Sequence, residues 1–276
     1  MRLVTEWVAY EEARRRAYVA RPEAVPTPLP VVLVIQEAWG VDVHIRDVAE
    51  RFATAGYVAV APDLYWEAGS RPPVLAEERV DTVKPFLDTI PPSAWGDPAQ
   101  RQAALDSLPS GEGTAVGETL GAVFGNAGKV DEHVKVLRGL MTFLGDYGHT
   151  AGQPRVSVGF CMGGGLSFRL ATEDIRLRAA VVCYGSPPDD DAIARLSCPV
   201  LGLDGAADHR ITDSVPHVAD VSRAAGRSYD YKIYPDTPHA FFNDTRSSYR
   251  IEAARDAWAR ILALFAEVTA HPVAPA

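Results

Sequence analysis

The sequence is short of several things, and each shortage excludes something. It holds only three cysteines, Cys161, Cys183 and Cys198, an odd number with no CxxC-type spacing. A disulfide framework or a cysteine-built metal site is therefore not expected, and a reduced, cytoplasmic setting is. No apolar run approaches the roughly 20 residues that a bilayer-spanning helix needs, so no membrane partner is expected. Basic residues are outnumbered, with 27 Lys and Arg against 36 Asp and Glu and a formal net charge of −9. A surface for nucleic acid needs clustered Lys and Arg, which this balance speaks against. The N-terminal stretch MRLVTEWVAYEEARRR has charge on both sides of a short apolar run and lacks the h-region of a secretion signal. Neither a membrane nor nucleic acid is therefore an expected partner; the small-molecule substrate that is expected rests on the motifs described below, and no pattern in the sequence encodes the oligomeric state.

Apolar residues make up 47% and charged residues 23% of the chain, ordinary values for a globular protein. Its 276 residues are compatible with one large α/β core, and a single domain over 1–276 is the expectation. Alternating apolar positions before residue 25 suggest an antiparallel edge hairpin, ended by the prolines of AVPTPLP. The runs VVLVIQ (31–36) and YVAVA (57–61) read as strands buried on both faces, joined by a helix through Ile45, Val48, Ala49 and Phe52 that ends at Gly56. The same strand, helix, strand rhythm returns over 155–185 and 199–234, which predicts an α/β protein with a mostly parallel sheet and helices on both faces. Residues 66–128 interrupt the rhythm with prolines and glycines and read as an inserted, lid-like excursion. Helical spacing resumes at Val134, Leu137, Met141 and Leu144, and a last apolar stripe runs from Ile251 to Phe265. The tail TAHPVAPA reads as frayed.

The chemistry is concentrated in VSVGFCMGGGLSFRL, residues 156–170. An apolar run meets Gly159, Cys161 and Gly163 and turns at once into a helical pattern. A lone cysteine among glycines is also what a small packed hydrophobe looks like. As a strand, sharp turn and helix, however, it matches the nucleophile elbow of the α/β-hydrolase fold with cysteine in place of serine. In that fold an acid follows a later strand and a histidine comes last. DGAADHRI after the strand at 199–203 offers Asp204 and Asp208, and PDTPHAFF after 229–234 offers His239. A loop residue several positions past a strand end can reach across to a histidine, which favours Asp208. Asp204, directly at the strand end, is free to bond amides of its own turn. Asp236 and His209 are assigned to solvent, Cys183 and Cys198 to packing, and Asp189–Asp191 to a solvated turn rather than a cation site.

The roles follow from acid–base chemistry. Cys161 would attack a carbonyl, His239 would accept and return the proton, and Asp208 would fix the imidazole tautomer. The N–H groups of Ala38 and Met162 would receive the oxyanion. Glu37, ending a buried strand in VIQEAWG, is a carboxylate that wants a partner. It reads either as a base or hydrogen-bond partner for the thiol or as a capped structural carboxylate. No metal or cofactor is called for. Trp39, Tyr65, Trp66, Tyr184, Phe241, Phe242 and Asn243 fall at strand ends on the same edge and are the candidate substrate pocket, of a kind that suits a hydrophobic or aromatic substrate.

With QE and a glycine three residues on, GYVAVAPDLY, GFCMGG, and DH followed by PHAF, the chain resembles the dienelactone hydrolase (carboxymethylenebutenolidase) family over 31–65 and 130–268. The resemblance implies an α/β-hydrolase fold, cleavage of a lactone, ester or similarly activated acyl bond, and a Cys, Asp, His triad at Cys161, Asp208 and His239. It also implies a glutamate at Glu37 that engages the resting thiol. Two features depart from it. The family's dienelactone enzymes hold a substrate carboxylate with arginines, one of them four residues past the histidine, where this chain has Asn243. The excursion at 66–128 is also longer. Arg71, Arg79 and Arg246 are the open substitutes. A lyase, isomerase or cyclase step on the same scaffold, and a non-catalytic binding protein, are the rival readings.

Overall fold

An eight-stranded sheet forms the centre of the computed structural model, which describes residues 1–12, 14–91, 97–109 and 111–270. The strands are β1 (Leu3–Tyr10), β2 (Arg15–Pro22), β3 (Val31–Ile35), β4 (Val58–Pro62), β5 (Arg155–Phe160), β6 (Leu177–Cys183), β7 (Val200–Gly205) and β8 (Tyr229–Tyr234). They lie in the order β1-β2-β4-β3-β5-β6-β7-β8. The expected edge hairpin is present, β1 and β2 pairing antiparallel and β2 continuing antiparallel onto β4. Every other pairing is parallel. This is the α/β-hydrolase architecture that the sequence predicts.

All residues of β3 and β4 are buried, as their unbroken apolar runs require. Val32 and Val34 face one core with α1 (Val43–Thr54), while Val31, Leu33 and Ile35 face the other. Each such buried side chain stabilises the fold by about 1.5–3 kcal/mol. Asp42 caps α1 by accepting from Ile45 N–H at 3.1 Å, and Gly56, at φ 101°, turns the chain just beyond the helix end.

The excursion is more helical than its prolines suggest. A 3-10 turn at Pro73–Leu75 leads into α2 (Glu77–Thr89), α3 (Pro98–Asp106) and α4 (Glu112–Ala127). Pro85 lies inside α2 rather than ending it; the residue is exposed, so the carbonyl that loses its partner can turn to water. Pro92 lies outside the described residues. Val80, Val83, Phe86, Leu105, Leu120 and Val123 form a third core, and this core also contains Ala38, Trp39 and Tyr65. Ion pairs fasten α2 to parts of the molecule outside the excursion: Arg46–Glu77 and Arg246–Asp88 at 2.8 and 2.7 Å, and Lys84–Asp42 at 2.9 Å.

After α5 (Val130–Asp146) come β5 and α6 (Met162–Glu173), then β6, α7 (Asp190–Ile193), β7, α8 (His209–Thr212), α9 (Val215–Ala224), β8 and α10 (Ile251–Thr269). Asp189 caps α7 through Ala192 N–H, so the acidic run is a helix start, as expected. Ile251 is exposed and starts α10 outside its apolar stripe, which instead runs through Ala254, Ile261 and Phe265. The end of the tail, from residue 271, lies outside the described residues. Among the described residues no helix is long and apolar enough to cross a membrane.

Candidate active site

The carboxyl ends of β3, β5, β7 and β8 come together at one edge of the sheet. Between β5 and α6 the chain reverses at Cys161, whose backbone is held at φ 53°, ψ −114°. For a residue with a Cβ this conformation costs on the order of 1–3 kcal/mol. The surroundings hold it there. A Cβ on Gly159 would overlap the backbone of Gly163, and one on Gly163 would overlap the backbone of Ile35 and Gln36. The two glycines thus let the elbow pack backbone on backbone against the end of β3. Met162 is the first residue of α6, so its N–H has no acceptor within the helix.

Asp208 lies just past β7 and His239 just past β8. His239 Nδ1 and Asp208 Oδ2 are 2.5 Å apart. Burial by itself lowers the basicity of this imidazole. The negative charge and hydrogen bonding of Cys161, together with the hydrogen bond to Asp208, outweigh burial and raise the imidazole to about 10. His239 is thus hydrogen-bonded to Asp208, and Cys161 lies near enough to act on the same imidazole.

Asp204 does not bond the amides of its own turn. It sits inside β7, it is buried, and its Oδ1 has no hydrogen-bond partner among the described residues. Burial first, and then the charge of Asp208, push this carboxyl up to about 7, against a smaller opposing effect of His239. Asp236 and His209 are exposed, as expected, His209 pairing with Asp213 at 3.2 Å. Cys183 is buried, and burial raises its thiol; burial likewise pushes Cys198 up to about 12.

Glu37 is buried, with both oxygens engaged. Asn243 Nδ2 donates to Oε2 at 2.7 Å and Tyr184 Oη donates to Oε1 at 3.3 Å. Asn243 Oδ1 in turn accepts from Thr245 N–H at 3.0 Å and Thr245 Oγ1 at 2.6 Å, which turns its amide nitrogen toward Glu37. Tyr184, at φ 43°, also presents its ring to His239 edge-on, with centroids 5.1 Å apart. This arrangement is that of a capped carboxylate whose cap reaches the histidine.

The pocket predicted from strand-end aromatics is partly corrected. Phe241 and Phe242 are 0% and 2% exposed and belong to the core, packed on Tyr234 and Phe160 respectively. The loop after His239 turns them inward through Ala240 at φ 58°. Trp66 is turned toward the edge hairpin, where Arg16 lies 3.7 Å from its ring centre and 4.1 Å from that of Trp7. Asn243 is a partner of Glu37 rather than a free pocket wall. Trp39 and Tyr65 lie beneath the excursion, and Tyr65 Oη donates to Ala38 O at 2.6 Å. The three arginines left open as substrate clamps all have acidic partners: Arg71 with Asp63, Arg79 with Glu118 and Arg246 with Asp88. Among the described residues no group of three or more His, Cys, Asp or Glu could hold a metal ion.

Comparison with known proteins adds to this geometry. The model of the dienelactone hydrolase family matches residues 15–269, from the start of β2 to the end of α10. A protein of Saccharolobus solfataricus, provisionally named a carboxymethylenebutenolidase, is 36% identical over 259 residues, covering 93% of this chain and 95% of its own. A similarly named protein of Escherichia coli K12 is 33% identical over 260 residues, covering 90% and 81%. Among solved structures, a provisionally named dienelactone hydrolase from Klebsiella pneumoniae superposes with a TM-score of 0.70 at 29% identity, covering 97% of this chain and 100% of its own.

Proposed function

The chain belongs to the dienelactone hydrolase family and is a hydrolase of lactone or ester bonds; from that premise we propose that it cleaves them through an acyl-cysteine formed on Cys161. The observation that carries this reading is the hydrogen bond from His239 to Asp208 beside Cys161, which sits at the turn between β5 and α6. The Cys161 proton rests on His239, and the thiolate sulfur attacks the carbonyl carbon. The carbonyl electron pair moves onto oxygen, which is received by the N–H groups of Met162 and Ala38. Collapse of this adduct breaks the acyl–oxygen bond, and His239 returns the proton to the leaving alkoxide. With a lactone the leaving oxygen stays tethered to the acyl group. Water then attacks the thioester with His239 as base, the thiolate departs, and a hydroxy acid is released. Asp208 holds the imidazole with its other nitrogen free for these transfers.

Glu37 is best read as a positioning carboxylate in this scheme. It orients Tyr184, whose ring packs against His239, and is itself held by Asn243. Each proton transfer is assigned to a side chain, so the scheme calls for neither metal nor cofactor. Tyr184, buried but with its ring edge-on to His239, is the aromatic group that reaches the reacting centre, and it favours a substrate with an apolar acyl part.

The test is the initial rate of wild type and Cys161→Ala on a dienelactone, 4-nitrophenyl acetate and an aromatic lactone. Wild type is expected to turn over at least one of them, and the variant to lose at least about a hundredfold on it. Equal rates for the two proteins would overturn the assignment of the nucleophile.

A further inference from the structure

Residues 36, 37 and 38, which connect β3 to the loop beneath the excursion, are each held by a different group. Gln36 is fully buried, and its Oε1 accepts from Leu64 N–H at 3.1 Å. Glu37 is held by Asn243 and Tyr184. Ala38 has only a methyl side chain, which offers no polar handle. What is held instead is its carbonyl, by the Tyr65 hydroxyl at 2.6 Å. Two residues later comes Gly40, at φ 86°, a natural pivot. The turn at residues 63–65 therefore braces this segment at two points, from Leu64 N–H and from the Tyr65 side chain.

We infer that Tyr65 is a positioning residue of this hydrolase: its hydroxyl fixes Ala38 so that the Ala38 N–H is aimed at the developing oxyanion. The inference rests on the reading of Ala38 as an oxyanion donor. A donor stabilises a transition state only if it is aimed before the reaction begins, since reorientation during the reaction consumes the gain. The elbow side of the oxyanion site is fixed by helix α6 and the backbone contact at Gly163. On the Ala38 side the Gly163 contact reaches no further than Gln36, and the Ala38 carbonyl is held by Tyr65. Without the Tyr65 bond, the peptides flanking Ala38 gain freedom between the fixed Glu37 and Gly40.

The environment of Tyr65 suits a permanent donor. It is 3% exposed, and burial raises its phenol well above the usual tyrosine range, so the O–H stays protonated wherever the enzyme works. Neighbouring charges on Arg71, Cys161 and Asp63 act on it more weakly than burial does. The bond to Ala38 is thus insensitive to pH.

The experiment compares wild type with Tyr65→Phe, which keeps the ring and removes the hydroxyl. Three quantities are read on the folded proteins: kcat and KM on 4-nitrophenyl acetate, inhibition by an aryl trifluoromethyl ketone, and the alkylation rate of Cys161 by iodoacetamide. The ketone takes the thiolate at its carbonyl carbon and moves an electron pair onto oxygen, so its reversible adduct needs the oxyanion donors. Alkylation displaces iodide at a methylene carbon and does not. The variant is expected to lose about ten- to a hundredfold in kcat with KM nearly unchanged, and to bind the ketone more weakly by a similar factor. Its alkylation rate should match wild type. A kcat within twofold of wild type overturns the inference. So does a parallel fall in alkylation, which would place Tyr65 on the thiol instead. Cys161→Ala, run alongside, separates the two levels. If it retains activity, the underlying triad reading fails; if it is inactive while Tyr65→Phe is fully active, only the role of Tyr65 fails.

Discussion

Replacing Asp204 by asparagine should make the protein more stable in mild alkali than in mild acid, relative to wild type. The native carboxyl is pushed up to about 7, first by burial and then by Asp208, from a starting value of 3.8. Between those two values the folded chain keeps a proton that the unfolded chain has released, so wild-type stability falls as pH rises, by about 1.4 kcal/mol per pH unit. Above about pH 7 both states are ionised and the full penalty stands, about 4 kcal/mol in all. Asparagine has nearly the same shape and cannot ionise. Between pH 5 and pH 8 the variant should therefore gain about 3 kcal/mol on wild type. Urea unfolding of both proteins at the two pH values measures this. The titration of His239 affects both proteins and largely cancels in the difference, apart from its coupling to Asp204. A stability gap that is the same at pH 5 and pH 8 would refute the reasoning and mean that the Asp204 carboxylate is satisfied after all.

Two further substitutions test how the site is held. Asn243→Leu removes the donor to Glu37 Oε2 and leaves a buried carboxylate oxygen without a partner; unfolding free energy should drop by about 2–3 kcal/mol, and an unchanged urea midpoint would contradict the bond's importance. Gly163→Ala places a Cβ against the backbone of Ile35 and Gln36, neither of which can rotate away. It should cost at least about 3 kcal/mol or prevent soluble expression, and a variant that melts with wild type would mean that the elbow is not packed on β3.

Much of the fold was legible because its signals are local. The runs 31–36 and 57–61 are almost wholly apolar and rich in valine, which is what strands buried on both faces require, and both form as expected. The spacing of Gly159, Cys161 and Gly163 encodes a steric requirement within five residues. The excursion misled because its glycines and prolines look like breaks. Gly113 and Gly117 instead sit where α4 packs on Leu105 of α3, and Pro85 faces water on α2. Phe241 and Phe242 were misread because nothing periodic marks a loop, and it is the backbone turn at Ala240 that sends both rings into the core. The partners of Glu37 lie 147 and 206 residues away along the chain, Tyr184 and Asn243, and no short-range pattern connects them. The unpartnered oxygen of Asp204 was equally hidden, since its position at a strand end is shared by many carboxylates that do find a turn to cap.

The most direct test of the central claim is the mass of the intact protein during turnover of a slow acyl ester, quenched in acid to preserve a thioester. The account predicts an adduct of the acyl group's mass on the peptide carrying Cys161, absent in Cys161→Ala and accumulating when deacylation is slowed. Steady turnover with no adduct at Cys161 under any quench, or an adduct on another residue, would contradict it.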